Sequence, residues 1–247
     1  MGIFVALVII AVFCFVMLPN FYASRGSSAY RKGDLREAAR LYKKAYDTKR
    51  ASLVVKLNYA QIVLRDGRSE EAEKIFDEIL LDKKLPSNKK NLVRQYRCMA
   101  YMKQDKPEQA IAEAQDLLSV YKNSELYAIM GYAMILAHRP EREVLTLCEE
   151  AYEYNEDNRD FADNYALALI NAEEYEEAIE VCDKVIKSNR FFPEGHYHKA
   201  LALSKLERLE EMHSELELLE DCDFGYLTTV TDEEIDALWD LIEEKED

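Results

Sequence analysis

The stretch Ala29-Tyr30-Arg31-Lys32-Gly33-Asp34-Leu35-Arg36-Glu37-Ala38, followed by Tyr42 and Ala45, decides the fold. It reads as the end of one helix, a turn at Gly33, and the start of a second helix. A second copy follows with Tyr59-Ala60, Gly67, Ala72, Phe76 and Ile79, so that Gly33 to Gly67 and Ala38 to Ala72 are both separated by 34 residues. A lag of that size in a helix-turn-helix unit marks stacked helix pairs rather than one globular core. Small residues where paired helices cross let the backbones approach, and the aromatics fill the space toward the next pair.

Four more copies follow. The third has Cys98, Tyr101, a turn at Asp105, then Ala110, Ala114 and Leu117, and is offset by 38 residues because of a longer loop around Leu81 to Lys90. The fourth has Gly131, a turn at His138-Arg139-Pro140 with one residue inserted, then Val144, Cys148 and Ala151. The fifth has Tyr165, Ala166, Leu169, Glu173, Ala178, Cys182 and Val185, and a degenerate sixth has Ala200, Leu203, Met212, Leu216 and Leu219. Beyond it, Cys222-Asp223-Phe224-Gly225-Tyr226 breaks the pattern, and Thr231 with Glu234 forms a capping box. Ile235, Leu238, Trp239 and Ile242 share one face of the helix that follows. This helix reads either as a cap on the last repeat or as a docking helix for a partner.

Ahead of the repeats, Gly2 to Leu18 are seventeen apolar or small residues without a charge, with Phe21 and Tyr22 just behind. Counted to Ala23, the segment is long enough for a slightly short membrane-crossing helix with interfacial aromatics. A cleaved signal peptide, with a weak site at Ala23-Ser24-Arg25-Gly26, and a buried core helix are the other readings. The first lacks a basic n-region and the second a polar face. Arg25, Arg31, Lys32, Arg36 and Arg40 follow the segment, so the positive-inside bias puts the repeats in the cytoplasm. The short, nearly neutral amino-terminal flank leaves the extracytoplasmic orientation open. The expected organisation is thus all-α: a transmembrane helix at 1–23, about six repeats at 24–220, and an acidic capping helix at 221–247.

The net charge of −16 argues against nucleic acid as a partner, since such binding needs a basic footprint. The charge is uneven: Arg25 to Lys56 carries ten basic residues against three acids, and Lys205 to Asp247 seventeen acids against three basic residues. No C-x-x-C, H-E-x-x-H, G-x-G-x-x-G, P-loop or G-x-S-x-G motif is present. His196 and His198 stand two apart on a helix and make a poor metal pair. Cys148 and Cys182 occupy matching places 34 residues apart and read as small core residues. No enzyme, metal or cofactor is therefore expected.

The pattern of a small residue in helix A, a glycine-like turn and Ala, aromatic, Ala in helix B resembles the tetratricopeptide repeat family, over about Gly26 to Glu220. The resemblance implies an α-α superhelix that binds a protein or peptide in a groove walled by helix A. Carried onto this sequence, that wall holds Leu57, Tyr96, Met99, Tyr132, Ile135, Leu167, Ile170, Tyr197 and Leu201. The carboxylate clamp of related adaptors is at best partial here: Asn58, Gln61 and Arg97 stand near its places. Two roles follow as expectations. One is a membrane-anchored adaptor holding an apolar segment in the groove. The other is a structural subunit of a membrane-associated complex, using the solenoid edges or the last helix.

Overall fold

The computed structural model describes residues 2–222, 224, 228 and 230–246, with the backbone alone for 2–14, 16 and 244–246. Among these residues the chain is entirely helical and forms two compact units, Met1–Gln104 and Asp105–Asp247. The first holds α1 (Gly2–Arg31), α2 (Leu35–Asp47), α3 (Leu53–Arg65), α4 (Ser69–Leu80) and α5 (Ser87–Met102). The second holds α6 (Pro107–Leu118), α7 (Ser124–Leu136), α8 (Glu141–Tyr154), α9 (Arg159–Asn171), α10 (Tyr175–Ser188), α11 (Pro193–Lys205), α12 (Leu209–Glu220) and α13 (Asp232–Glu246). Within each unit, consecutive helices pack as antiparallel neighbours.

The turns that make these hairpins share one device. Gly33, Gly67, Asp105, His138, Glu173 and Glu207 all adopt left-handed backbone, with φ between 50° and 79°. Such a residue ends a helix by folding the next N–H back onto an orphan carbonyl. Asp34 N donates to Ala29 O, Arg68 N to Val63 O, Arg139 N to Met134 O, Glu174 N to Leu169 O and Arg208 N to Leu203 O, all within 3.1 Å. At the other ends, Asp34, Ser52, Asn123 and Asn158 cap α2, α3, α7 and α9 by accepting a backbone N–H.

Packing follows the small-residue rule. Ala38, Ala72, Ala110 and Ala178 are fully buried on α2, α4, α6 and α10. Many tyrosines find their place in a ladder that recurs 106 residues apart. In the first unit Tyr46 stands 5.2 Å from Tyr59, whose hydroxyl donates to Glu71 at 2.7 Å. In the second, Tyr152 stands 5.2 Å from Tyr165, whose hydroxyl donates to Glu177 at 2.9 Å. Burial first, then the carboxylate, pushes the Tyr59 and Tyr165 phenols upward, so both remain donors.

The amino-terminal helix departs from expectation. The transmembrane helix expected over residues 2–23, with its single-pass topology and cytoplasmic side, is not retained. Among the described residues no helix is long and apolar enough to cross a membrane. The physical reason lies in the second half of α1, which is the first helix of the first hairpin and has no break at Ala23. Gly26 is buried so closely on Tyr42 that an added Cβ would sit 2.8 Å from the ring. Arg50 lies 3.2 Å from the centroid of the Phe15 ring, and Lys44 lies 5.7 Å from that of Tyr22. Cations seated on both rings are costly in hydrocarbon. The apolar run ahead of Phe15 falls short of the about 20 residues that a spanning helix needs. The side chains of 2–14 lie outside the described residues.

At the other end, α13 packs on α11 and α12 with Leu238 and Ile242 buried. The capping box forms: Thr231 N donates to Glu234 Oε2 at 2.9 Å, and Glu234 N to Thr231 Oγ1 at 3.2 Å. The break at 222–226 falls partly outside the described residues.

Candidate functional site

The helix A side chains expected to wall a groove fall in both units. In the first, Leu57 and Met99 are buried, while Asn58, Gln61, Tyr96 and Arg97 are half-buried. Two of their polar groups, on Asn58 and Arg97, are already engaged. Asn58 Nδ2 donates to the Tyr42 hydroxyl at 3.2 Å, and Arg97 pairs with Asp77 on α4 at 2.5 Å. Tyr96 stacks on Phe76 with the rings 6.4 Å apart. These residues bind helix to helix, and the two groups suited to orient a ligand have partners in the chain.

In the second unit Ile135, Ile170 and Tyr197 are buried, while Tyr132, Leu167 and Leu201 are half-buried. Tyr197 lies near Glu234 of α13, and burial, with that carboxylate behind it, pushes its phenol up to about 12.

The open apolar surface of the second unit lies elsewhere. A hollow of about 410 Å³ is lined by Tyr127 of α7, Leu147, Ala151 and Tyr154 of α8, and Phe161 of α9, with Lys122 and Glu150 among its polar residues. A second hollow, of about 580 Å³, is lined by Met130 and Met134 of α7 and by Pro140, Thr146 and Leu147 near the turn. Leu147 and Glu150 line both, so the two form one furrow along the α7/α8 hairpin. Tyr154 at its end is 81% exposed.

The hairpin that carries the furrow departs from the others at its crossing. At the crossing place filled by alanine in α2, α4, α6 and α10, α8 carries the larger, stiff Val144. The helices touch at Gly131, where a Cβ would meet Cys148 Sγ at 3.2 Å, and α8 packs more closely on α9 than on its own partner α7. Sequence reasoning passed over these residues. Val144 in an alanine place and the inserted residue before Pro140 were the available signals.

The chemistry of the furrow is that of contact, not reaction. Burial pushes the Cys148 thiol up to about 12, so it stays a protonated core group rather than a nucleophile. Cys98 and Cys182 are buried like Cys148. Among the described residues, no three His, Cys, Asp or Glu side chains are grouped to hold a metal ion.

A polar cluster closes the last hairpin. His196, on α11, is buried, with Nδ1 2.7 Å from Glu215 Oε2 and Nε2 3.0 Å from the Arg190 carbonyl. A carbonyl only accepts, and a carboxylate faces the other nitrogen, so both nitrogens donate and the ring is an imidazolium. Burial opposes that charge, but the bonds to Glu215 and Arg190 outweigh it and raise the pKa. Lys199 completes the cluster, 2.8 Å from Glu215 and 2.6 Å from Asp183.

With the helix pairs, left-handed turns and alanine crossings in place, comparison with known proteins bears on the fold. Residues 29–96 match one tetratricopeptide repeat profile and residues 162–192 another. No curated protein matches the chain. Among solved structures, a tetratricopeptide repeat protein from Parabacteroides merdae aligns with TM-score 0.62 at 15% identity, covering 92% of this chain and 99% of that one. Pseudomonas aeruginosa pilF aligns with TM-score 0.59 at 14% identity, covering 83% and 91%. The Cut9–Hcn1 hetero-tetramer of the APC/C aligns with TM-score 0.70 at 11% identity, covering 91% of this chain and 42% of that one. At these identities the likeness is one of fold: an all-α tetratricopeptide arrangement.

Proposed function

We propose that this tetratricopeptide repeat chain is a scaffold that holds a protein partner and catalyses nothing itself. The observation that carries the reading is the α7/α8 furrow, an apolar hollow with tyrosines at one end that no described side chain of its own unit fills. Tyrosine and methionine walls suit protein contact, since they give large area with few torsions or with adaptable shape. The half-buried wall residues Tyr132, Leu167 and Leu201 are a second contact surface in the same unit, and Asn58, Gln61, Tyr96 and Arg97 one in the first. Assembly is also the theme of one fold relative, since Cut9–Hcn1 is a hetero-tetramer. Membrane anchorage has no part in this reading.

The test places a photo-crosslinking phenylalanine analogue at Tyr154 and, as a control, at Val120, both exposed in the second unit. A partner band from position 154 that is missing from position 120, and lost when Leu147 becomes Glu, supports the furrow. The same bands from both positions, or bands indifferent to Leu147→Glu, sink it.

A further inference from the structure

Two rows of apolar side chains bound the α7/α8 furrow, each at helical spacing. On α7 they are Tyr127, Met130 and Met134, and on α8 Leu147, Ala151 and Tyr154. Met134 is buried, Tyr154 is exposed and the other four are half-buried, so both rows open outward. Such rows, three or four residues apart on two neighbouring helices, leave between them the groove into which a third helix lays its own ridge.

An extended segment fares worse there. The walls are the flanks of helices, whose backbone groups are spent along the helix axis, so no edge offers a ladder. Two side chains suited to hold a peptide backbone are engaged. Asn123 accepts from Leu126 N at 2.8 Å, and the Thr146 hydroxyl donates to the Arg142 carbonyl at 2.9 Å. A helix brings its own backbone bonds and needs neither.

Charge narrows the occupant further. Glu143 and Glu150 line the furrow from α8, both are exposed, and among the described residues neither makes an ion pair. Seven residues separate them, about 10.5 Å along the helix at 1.5 Å per residue. The cations of the lining stand at its ends, Arg142 by Pro140 and Lys122 by Tyr154. A second copy seated furrow to furrow about a two-fold axis would set acid against acid, whether the two α8 helices ran parallel or antiparallel. The acids therefore disfavour self-association here and favour a basic partner.

We infer that the furrow takes an amphipathic α-helix of a partner protein, apolar at places three and four apart and carrying two basic residues seven apart that meet Glu143 and Glu150. That the furrow holds a partner at all rests on the scaffold reading; the helical form and the basic charge rest on the two rows and the two acids. Glu143 to Tyr154 spans about 16 Å, so about three turns of the partner helix lie in contact.

The experiment selects displayed random peptides of about sixteen residues, long enough for three turns and frayed ends, on the full chain, with Leu147→Glu and Thr146→Arg as counter-targets. The expected winners have no internal proline, are apolar at i, i+3, i+4 and i+7, carry Lys or Arg seven apart, and fail to bind either counter-target. Thr146 is exposed, so Thr146→Arg reads the furrow even if Leu147→Glu melts early. One winner, labelled with fluorescein and followed by anisotropy, should lose roughly fivefold in affinity on Glu143→Gln/Glu150→Gln. It should lose less than about twofold on Glu149→Gln/Glu153→Gln, exposed acids of α8 that act on Tyr165 of α9. Equal losses in both pairs overturn the charge assignment. Winners that need the furrow but alternate with period two, or hold internal proline, overturn the helical form and leave the scaffold reading standing. Winners indifferent to both furrow substitutions overturn the furrow itself. No winners at all overturn the helix proposal, and crosslinking from Tyr154 then decides the scaffold reading separately.

Discussion

The α7/α8 and α11/α12 hairpins share one unit and one design, yet one is left open and the other is latched. Neither has alanine at the crossing: α8 carries Val144 and α12 carries Met212. Met212 is fully buried, since an unbranched side chain can bend into the gap. Val144 is buried too, but its branched Cβ holds it to one stiff shape, and the furrow runs along this hairpin. The last hairpin also gains the His196–Glu215–Lys199 cluster. The difference teaches that repeats of equal outline divide the work. A hairpin with a poorly matched apolar crossing presents surface, and one with a buried ionic latch holds its end of the stack.

The largest way to break this contrast is Glu215→Ala. It strands an imidazolium and half of a lysine's pairing in a buried place, and should cost about 3 kcal/mol, as removal of one partner from a buried ion cluster does. Urea melts check it: a loss below about 1 kcal/mol would mean the latch is ornamental. A smaller effect comes from pH. The folded-state pKa of His196 is raised, so its contribution is complete below the unfolded value of about 6.5 and fades as pH rises through the folded value. Glu215, Lys199 and Asp183 are the charged groups around the ring and its partner. Stability of the second unit should therefore fall as pH rises from the unfolded value through the raised folded one, and His196→Gln should flatten that slope. An unchanged slope in the variant places the titration elsewhere. The smallest effect concerns the turns. His138 and Glu207 hold the same left-handed backbone, so His138→Gly and Glu207→Gly should each stabilise by about 0.5–1 kcal/mol. Unequal gains, read from thermal melts, would locate the difference between the hairpins in their turns rather than at their crossings.

Much of this was legible in the chain. The turn residues Gly33, Gly67, Asp105, His138 and Glu173 could be located from spacing, because a left-handed stop must follow each first helix at a fixed distance. The buried alanines were legible for the same reason, since close helix approach tolerates little else. The end of the amino-terminal segment was not. Hydropathy sees Phe15 to Tyr22 as a continuation of an apolar run, and cannot see Lys44 of α2 and Arg50 of the connection after it returning to sit on those rings. The furrow was hidden because it is a shape left between helices, and a hollow leaves no pattern in the residues. The approach of Asp163 to His198, at 3.0 Å, was hidden too: the residues lie 35 apart and meet only when α9 and α11 are set side by side.

The chain has one tryptophan, and it sits on α13 with its ring edge-on to His213 of α12 at 5.2 Å. Nature has thereby placed a single optical reporter on the terminal helix. Excitation at the red edge of the absorption band, where the 16 tyrosines scarcely absorb, reads the docking of α13 and nothing else. Tyrosine emission reads the ladders of both units. Followed together through a denaturant ramp, the two signals separate fraying of the end from collapse of the interior, without any engineered label.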